Sequence, residues 1–439
     1  MTQSDRRVVI TGMGLISPLG NSPSELWDSL SNQKSGIAQL ERVPTQHLST
    51  DIGGEALNFT GDIDQFGPLE KMAKRSIKKG SRLMCREIQM GVAAAQLALT
   101  DSGLNDIDRD PTRIGTVFGS DYIITEPVEF VDGVKNCLDE NGNFNFKAWA
   151  DSGLEKVEPT WLLKYLPNMP ASHVSIYNDL RGPSNSITVR EASANLALAE
   201  ATTIIQRGSA DMMIAGSTGS RIHPLRTLHV VLQEQLADRH TPAIGGDPEK
   251  ASRPFDKDRN GMVLGEGAGI MVLEELSHAE KRGATIYGEV IGYGSSSVAD
   301  KNGVGNYRVA LENVIKGALE TSGVKISDLG HVHAHGLSSV KCDSEEAAAI
   351  SNLLGNVPVT AAKSYMGNLG AGSGAVEAMA STLALKHGTL FPTMNVQSLD
   401  EACKISVVTE TGTSPGDVFM NLNVTPQGQA SSLVVRKFT

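Results

Sequence analysis

Residues 182–208, Gly-Pro-Ser-Asn-Ser-Ile-Thr-Val-Arg-Glu-Ala-Ser followed by an Ala/Leu-rich run to Arg207-Gly208, constrain this chain more than any other stretch. A Gly-Pro turn leads into a short β-leaning run, Ser186 to Val189. A segment of helical character then continues to a terminating glycine, Gly208. Strand, sharp turn and helix together make an elbow, which holds the side chain at the bend over a helix N terminus rich in unpaired backbone N–H groups. Nucleophiles are often carried there, and here the residue at the bend is Glu191. The plainer role for such a glutamate is to complement the helix macrodipole, worth about 0.3–1 kcal/mol.

The rest of the chain alternates strand-like and helix-like segments. Arg7 to Gly14 is a largely apolar run closed by glycines, the pattern of a buried strand. A helix is expected around Ser22 to Asn32, where Ser22 caps and Pro23 takes the first position. A long amphipathic helix is expected over 80–103, and strands over Arg113 to Gly119 and Asp211 to Gly216. Asp132 to Gly153 has no period and reads as a surface excursion. In the second half the pattern resumes, with strands at Thr285 to Tyr293, His331 to Gly336 and Val357 to Thr360, and helices at Val309 to Thr321 and Ala375 to Lys386. Val418 to Val424 and Ser432 to Val435 close it. Such alternation implies an α/β fold with two βαβ-rich lobes. The run Gly265-Glu266-Gly267-Ala268-Gly269 leads into strand-like Ile270 to Leu273 and does not open a helix, so close backbone packing explains it better than a dinucleotide.

Several stretches resemble the β-ketoacyl-acyl-carrier-protein synthases of the thiolase superfamily. They are the elbow with its flanking Gly182-Pro183-Ser184 and Gly208-Ser209-Ala210-Asp211, the run Arg253-Pro254-Phe255-Asp256-Lys257-Asp258-Arg259-Asn260-Gly261, Ala334-His335-Gly336, and Lys363-Ser364-Tyr365-Met366-Gly367-Asn368. The resemblance covers essentially the whole chain. It implies the five-layered αβαβα thiolase-like fold with two similar halves, an N-terminal half with cap insertions over 1–250 and a C-terminal half over 251–439. Counted without gaps from either flank, the family's nucleophilic cysteine falls on Glu191. The two basic residues of the family site fall on His335 and Asn368, and its lysine on Lys363. The pantetheine-gripping hydroxyls fall on Leu337 and Ser339, and the gating phenylalanine of the closing loop on Pro426, which has no N–H to offer an oxyanion. Asp343 and Glu346 fall on acidic positions that, with Lys363, tie the active-site loops together by ion pairing in the family.

Neutral histidine and asparagine can both donate hydrogen bonds to an enolate or oxyanion. Exchanging sulfur for a carboxylate is the larger change, because an acyl-glutamate would be a labile mixed anhydride. The expectation is therefore a subunit like a chain-length factor, lacking the cysteine, in fatty-acid or polyketide assembly. It would meet phosphopantetheine-linked acyl chains on an acyl carrier protein, as a homodimer or as a heterodimer with a cysteine-bearing synthase. Chain-length factors usually carry glutamine at that bend, so glutamate departs from them. The alternatives are decarboxylation of a malonyl-carrier protein by His335 and Asn368, or an active synthase with an unusual site, for which Ser193 and Cys342 are the other candidate nucleophiles. Whether Glu191 is ionised stays open, since the helix terminus favours the anion, desolvation opposes it and the direction of the Arg190 side chain is not fixed by the sequence.

A net charge of −11 argues against nucleic acid as the main partner, and an acidic carrier protein would need a local basic patch. The cysteines, Cys85, Cys137, Cys342 and Cys403, form no Cys-x-x-Cys pair, which signals neither a disulfide framework nor structural zinc. His331, His333 and His335 alternate along a strand but lack a closing partner, so no metal and no cofactor is expected. Without an apolar run of about 18–20 residues, or an apolar core in Met1 to Arg7, no membrane association is expected and the location reads as cytoplasmic.

Overall fold

The structure, a computed structural model, describes residues 6–46, 48–106 and 109–439; the first five residues, on which part of the N-terminal reading rests, lie outside them. The first half runs β1 (Val8–Ile16), α1 (Pro23–Ser31), the short strands β2 (Ala38–Gln39) and β3 (Ile52–Gly54), α2 (Lys71–Gly80), α3 (Arg86–Asp101) and β4 (Ile114–Ser120). It continues through α4 (Val131–Lys135), α5 (Met169–Asn178), β5 (Ser184–Thr188), α6 (Ser193–Gln206), β6 (Met212–Ser220), α7 (Pro224–Gln233) and β7 (Leu264–Glu275). After α8 (Leu276–Lys281) come β8 (Gly288–Ser297), α9 (Tyr307–Ser322), β9 (His331–His333), α10 (Val340–Leu354), β10 (Pro358–Thr360) and α11 (Lys363–Met366). Helix α12 (Ser373–His387) and strands β11 (Ser406–Val407), β12 (Val418–Val424) and β13 (Gln429–Arg436) complete the chain.

The strands lie in the order β11-β10-β9-β12-β13-β8-β1-β7-β6-β4-β5. Within it the set β1-β7-β6-β4-β5 is repeated by β8-β13-β12-β9-β10, each with two antiparallel pairings followed by two parallel ones. Among the described residues the two sets are joined by strand pairing where Val8 to Ile10 meet Gly288 to Val290. Strand β7 pairs with both β1 and β6 and so belongs to the first set, and β8, after α8, opens the second.

Period-two alternation sorts the strand side chains into separate cores. Met213, Ala215, Met271 and Leu273 face α6 and α12, whereas their neighbours Met212, Ile214, Ile270 and Val272 pack with α3 and α5. In the second half, Leu433 and Val435 join the α6/α12 core, and Val434 packs with α9 and α10 on the other side. Five layers result: outer helices, sheet, two central helices, sheet, outer helices. A helix covered on both faces must be apolar or small all round. Helix α12, Ser-Gly-Ala-Val-Glu-Ala-Met-Ala-Ser-Thr-Leu-Ala-Leu at its start, is buried from Ser373 through Leu385. Its Gly374 lets the two central helices meet, since a Cβ there would stand 2.9 Å from Ala194 Cβ and 2.3 Å from Asn423 Oδ1.

Three expectations are corrected in detail. The helix expected over 80–103 is α3 alone, and Gly80 instead ends α2, with a 3₁₀ turn at Ser81–Leu83 and extended backbone at Met84 between them. The strand expected from Thr285 begins at Gly288 and runs on to Ser297. The excursion after β4 is a chain of short helical turns held by aromatic contacts, Phe130 with Trp161 at 4.9 Å and with Trp149 at 6.1 Å, a tertiary arrangement that leaves no period in the sequence.

Candidate active site at the elbow

The chain turns from β5 into α6 through a 3₁₀ turn, Arg190–Ala192, with Arg190 in the left-handed region at φ 54°. Ser193 secures the bend: its Oγ accepts the N–H of Val189 at 2.9 Å and donates to the carbonyl of Ser120 at 2.8 Å. That hydroxyl is therefore committed to the backbone. The Glu191 side chain is buried, 1% exposed, at the meeting point of both halves.

Glu191 is held as a carboxylate. Arg221, fully buried just past the end of β6, donates Nη2–H to Glu191 Oε1, and Asn368 donates Nδ2–H to the same oxygen at 3.0 Å. Arg190 Nε stands 3.6 Å from Oε2. Burial opposes the charge, but Arg221 and, after it, Arg190 outweigh it and hold the carboxyl well below the usual carboxylate range. The ionisation left open by the sequence is thus settled by Arg221.

The ion pair belongs to a longer chain of charges. Arg190 Nη2 reaches Glu234 Oε1 at 2.5 Å, and Arg221 Nη1 lies 3.8 Å from Asp121. Arg226 in turn lies 2.5 Å from Asp121 and 3.2 Å from Glu87. Apart from Arg190, these residues escaped sequence reasoning. Arg221 directly follows an apolar strand, and an arginine at a strand's C-terminal end beside an elbow is the signal that was available.

His335 arrives on the loop after β9. Glu346 of α10 positions that loop by accepting the N–H groups of His335 at 2.6 Å and Gly336 at 2.8 Å. Asp343 accepts those of Leu337 and Phe255, each at 2.9 Å, with Arg259 3.6 Å away. Glu346 works through the backbone and makes no ion pair within 4.0 Å among the described residues, so the expected ion pairing of Asp343, Glu346 and Lys363 takes another form. Lys363 is buried and pairs with Glu377 of α12; its Nζ also donates to the carbonyl of His335 at 2.9 Å and approaches His335 Nδ1 at 3.3 Å. Asn423 of β12 approaches the same Nδ1 at 3.4 Å and donates to Glu377 Oε2 at 2.8 Å. With two donors facing Nδ1, the ring hydrogen belongs on Nε2. Burial first, and the Lys363 charge second, push the imidazole well below 6.5, so His335 is neutral and offers a donor.

Asn368 is fully engaged. Besides Glu191, its Nδ2 donates to Met262 Sδ at 2.9 Å, while Oδ1 accepts from Gly370 N and Ser373 Oγ, both at 3.1 Å. Pro426 and Gln427 lie in the tight turn between β12 and β13, and Gln427 Oε1 accepts from Arg190 Nη1 at 3.2 Å. Leu337 packs on the apolar clusters beneath the loop, and Ser339 precedes α10 without capping it through its side chain. Cys342 is buried within α10, its thiol pushed well above 9.0, mainly by burial. His331 and His333 share Ser381 Oγ, at 3.0 and 2.8 Å, and among the described residues no group of three ligating side chains could hold a metal ion. The Gly-rich run lies inside β7, where a Cβ on Gly269 would press on α12 at 3.0 Å.

Residues 5–279 match the family described as Beta-ketoacyl synthase, N-terminal domain, and residues 287–397 match Beta-ketoacyl synthase, C-terminal domain. The chain belongs to the β-ketoacyl synthase family. It is 35% identical to the 3-oxoacyl-[acyl-carrier-protein] synthase 2 of Vibrio cholerae, over 92% of each chain, and 32% identical to the protein of that name from Rhizobium meliloti, over 99% of each. Among solved structures it is similar to a β-ketoacyl synthase from Burkholderia phymatum, with a TM-score of 0.83 at 26% identity, and to the ishigamide ketosynthase/chain length factor, with 0.80 at 25%. Both similarities cover 99% of this chain and 100% of the other. Among the described residues no helix of this ketosynthase-family chain is long and apolar enough to cross a membrane.

Proposed function

We propose that this chain is a non-condensing subunit, like a chain-length factor, in acyl-carrier-protein-dependent fatty-acid or polyketide assembly. One observation carries the reading: the side chain at the elbow is a buried carboxylate, with Oε1 accepting from both Arg221 and Asn368 and Oε2 3.6 Å from Arg190 Nε. A carboxylate held this way is a poor nucleophile, and its acyl product would be a labile anhydride. Helix α2 supports an acidic carrier as partner. It presents Lys71, Arg75, Lys78 and Lys79, with Arg82 just beyond, as exposed cations on a chain of net charge −11.

The test is intact-mass spectrometry after incubation with acyl carrier proteins loaded with short, medium and long acyl groups. No covalent adduct is expected; a stable adduct would overturn the proposal. The reading further expects co-purification with a cysteine-bearing paralogue, and carrier binding that weakens with added salt and with charge reversal at Lys78 and Lys79. A second reading, malonyl decarboxylation, is favoured by the neutral His335 with its Nε2 hydrogen and weakened by the prior commitment of the Asn368 amide. Labelled carbon dioxide released from a malonyl-carrier protein and lost in His335→Ala would support it, and release no greater than the blank removes it.

A further inference from the structure

The charge chain that begins at Glu191 ends on a cavity. Buried polar atoms without a hydrogen-bond partner are concentrated along it: Arg221 Nε and Nη1, Asp121 Oδ2, Arg226 Nε and Nη2, Glu87 Oε1 and His223 Nε2. Arg226, Glu87 and His223 line a cavity of about 90 Å³, together with Val43, Ile123 and Ile222. Arg226 is 2% exposed and Glu87 5%, so these are not surface groups with water at hand. Their ion-pair contacts, Arg226 Nη2 to Asp121 at 2.5 Å and His223 Nε2 to Glu126 at 3.4 Å, lack hydrogen-bond alignment and leave the donors unsatisfied. Buried polar groups in native proteins are normally paired, and a cluster of exceptions around one cavity calls for an explanation.

We propose that this cavity binds a short-chain carboxylic acid, with Arg226 and His223 receiving the carboxylate and Val43, Ile123 and Ile222 lying against its few carbons. Donors predominate on the polar wall. His223 Nδ1 accepts the N–H groups of Leu225 at 3.2 Å and Arg226 at 3.3 Å, which places the hydrogen of the neutral ring on Nε2. Burial, with Arg226 adding to it, holds that ring neutral by lowering it to about 4. Burial chiefly pushes Glu87 up to about 8, which lessens the negative charge beside the site. Arg42 and Arg86 add positive charge to the wall, the latter balanced by Glu266. The volume accommodates roughly six water-sized groups, which suits an acid of a few carbons and not an extended acyl chain. A condensing and a non-condensing subunit could each hold such a ligand, so this inference stands or falls apart from the function proposed above.

Calorimetric titration of the full chain with propionate, propionamide and hexanol tests it. Propionate is expected to bind saturably at one site, about tenfold more tightly than the other two. In His223→Asn, which keeps a capping oxygen for α7, propionate should bind about tenfold more weakly; Ile222→Phe, which fills the apolar side and touches no charge, should abolish binding. Absence of saturable binding to the wild-type chain, equal affinity for propionate and propionamide, tighter binding of hexanol, or affinity unchanged in both variants would each overturn the assignment. The comparison of ligands on the wild-type chain decides even if a variant does not fold.

Discussion

The molecule builds the same elbow twice. In the first half Val189 to Ser193 lead into α6; in the second Leu369 to Ser373 lead into α12. Each has a 3₁₀ turn, Arg190–Ala192 and Gly370–Gly372, and each has a residue at positive φ, 54° at Arg190 and 62° at Gly370. Each also has a serine whose Oγ accepts an N–H four residues back at 2.9 Å. What differs is the side chains. The second elbow reads Leu-Gly-Ala-Gly-Ser, with glycine where the backbone needs it and Ala371 at the bend. The first reads Val-Arg-Glu-Ala-Ser, with an arginine in the left-handed region and a buried glutamate. Backbone geometry is thus common to both, and the buried charge belongs to the first alone. A non-glycine residue in that conformation costs about 1–2 kcal/mol, a cost associated with functional sites.

Removing what the first elbow has and the second lacks should produce the largest effect. Arg221→Ala leaves Glu191 buried without its principal counter-charge, and a loss of about 3–5 kcal/mol is expected in urea denaturation. Adding Glu191→Ala, which copies the alanine of the second elbow, should recover much of that loss. If the double variant is as unstable as Arg221→Ala alone, the ion pair is not what the two side chains share. Next in size is an exchange of the left-handed residues. Gly370→Ala puts a Cβ at φ 62° and 3.3 Å from Arg221 Nε, and should cost about 1–2 kcal/mol or more. Arg190→Gly relieves the same strain but gives up the contact with Glu234, so its net change should be smaller.

Acid sharpens the comparison further. The Glu191 carboxyl is held below its ordinary value, so the stability it contributes is present above about pH 4.5 and drains away as the pH falls toward its depressed folded value. Ala371 has no such group. Glu191→Gln is therefore expected to flatten the acid limb of the denaturation midpoint measured from pH 7 to pH 3, while being less stable at pH 7. A limb as steep as that of the native chain would show that other carboxylates dominate it. The same variant should lower the His335 titration further, because Glu191 favours the imidazolium. Ring-nitrogen NMR would follow this.

Much of this architecture is legible in the sequence. Fully buried strands such as β1, β7 and β12 announce themselves as apolar runs, and the central helices as Ala-rich segments without a polar face. The positions of Glu191, His335, Asn368 and Lys363 followed from short motifs whose spacing the elbows and loops preserve. What stayed hidden was pairing across the chain. Arg221 lies 30 residues from Glu191 and Glu377 lies 14 from Lys363, and Asn423 reaches His335 from another strand. No local period records which buried charges meet. The turns between α4 and α5 were illegible for a related reason: Phe130, Trp149 and Trp161 order them through contacts with one another, not through a repeating pattern.

The smallest effects should come from the feature the two elbows share. Ser193→Ala removes the bond from Val189 N and the one to the Ser120 carbonyl; Ser373→Ala removes the bond from Leu369 N and the one to Asn368 Oδ1. Each loses two neutral hydrogen bonds at a helix start, and each should lose about 1 kcal/mol in urea denaturation. Equal losses mean that Ser193 is a cap like its counterpart. Were Ser193 a nucleophile, its substitution would abolish an acyl adduct present in the native chain, whereas the expected result is no adduct in either. An adduct that vanishes with Ser193→Ala and persists with Ser373→Ala would break the equivalence of the two elbows and return a hydroxyl to the chemistry.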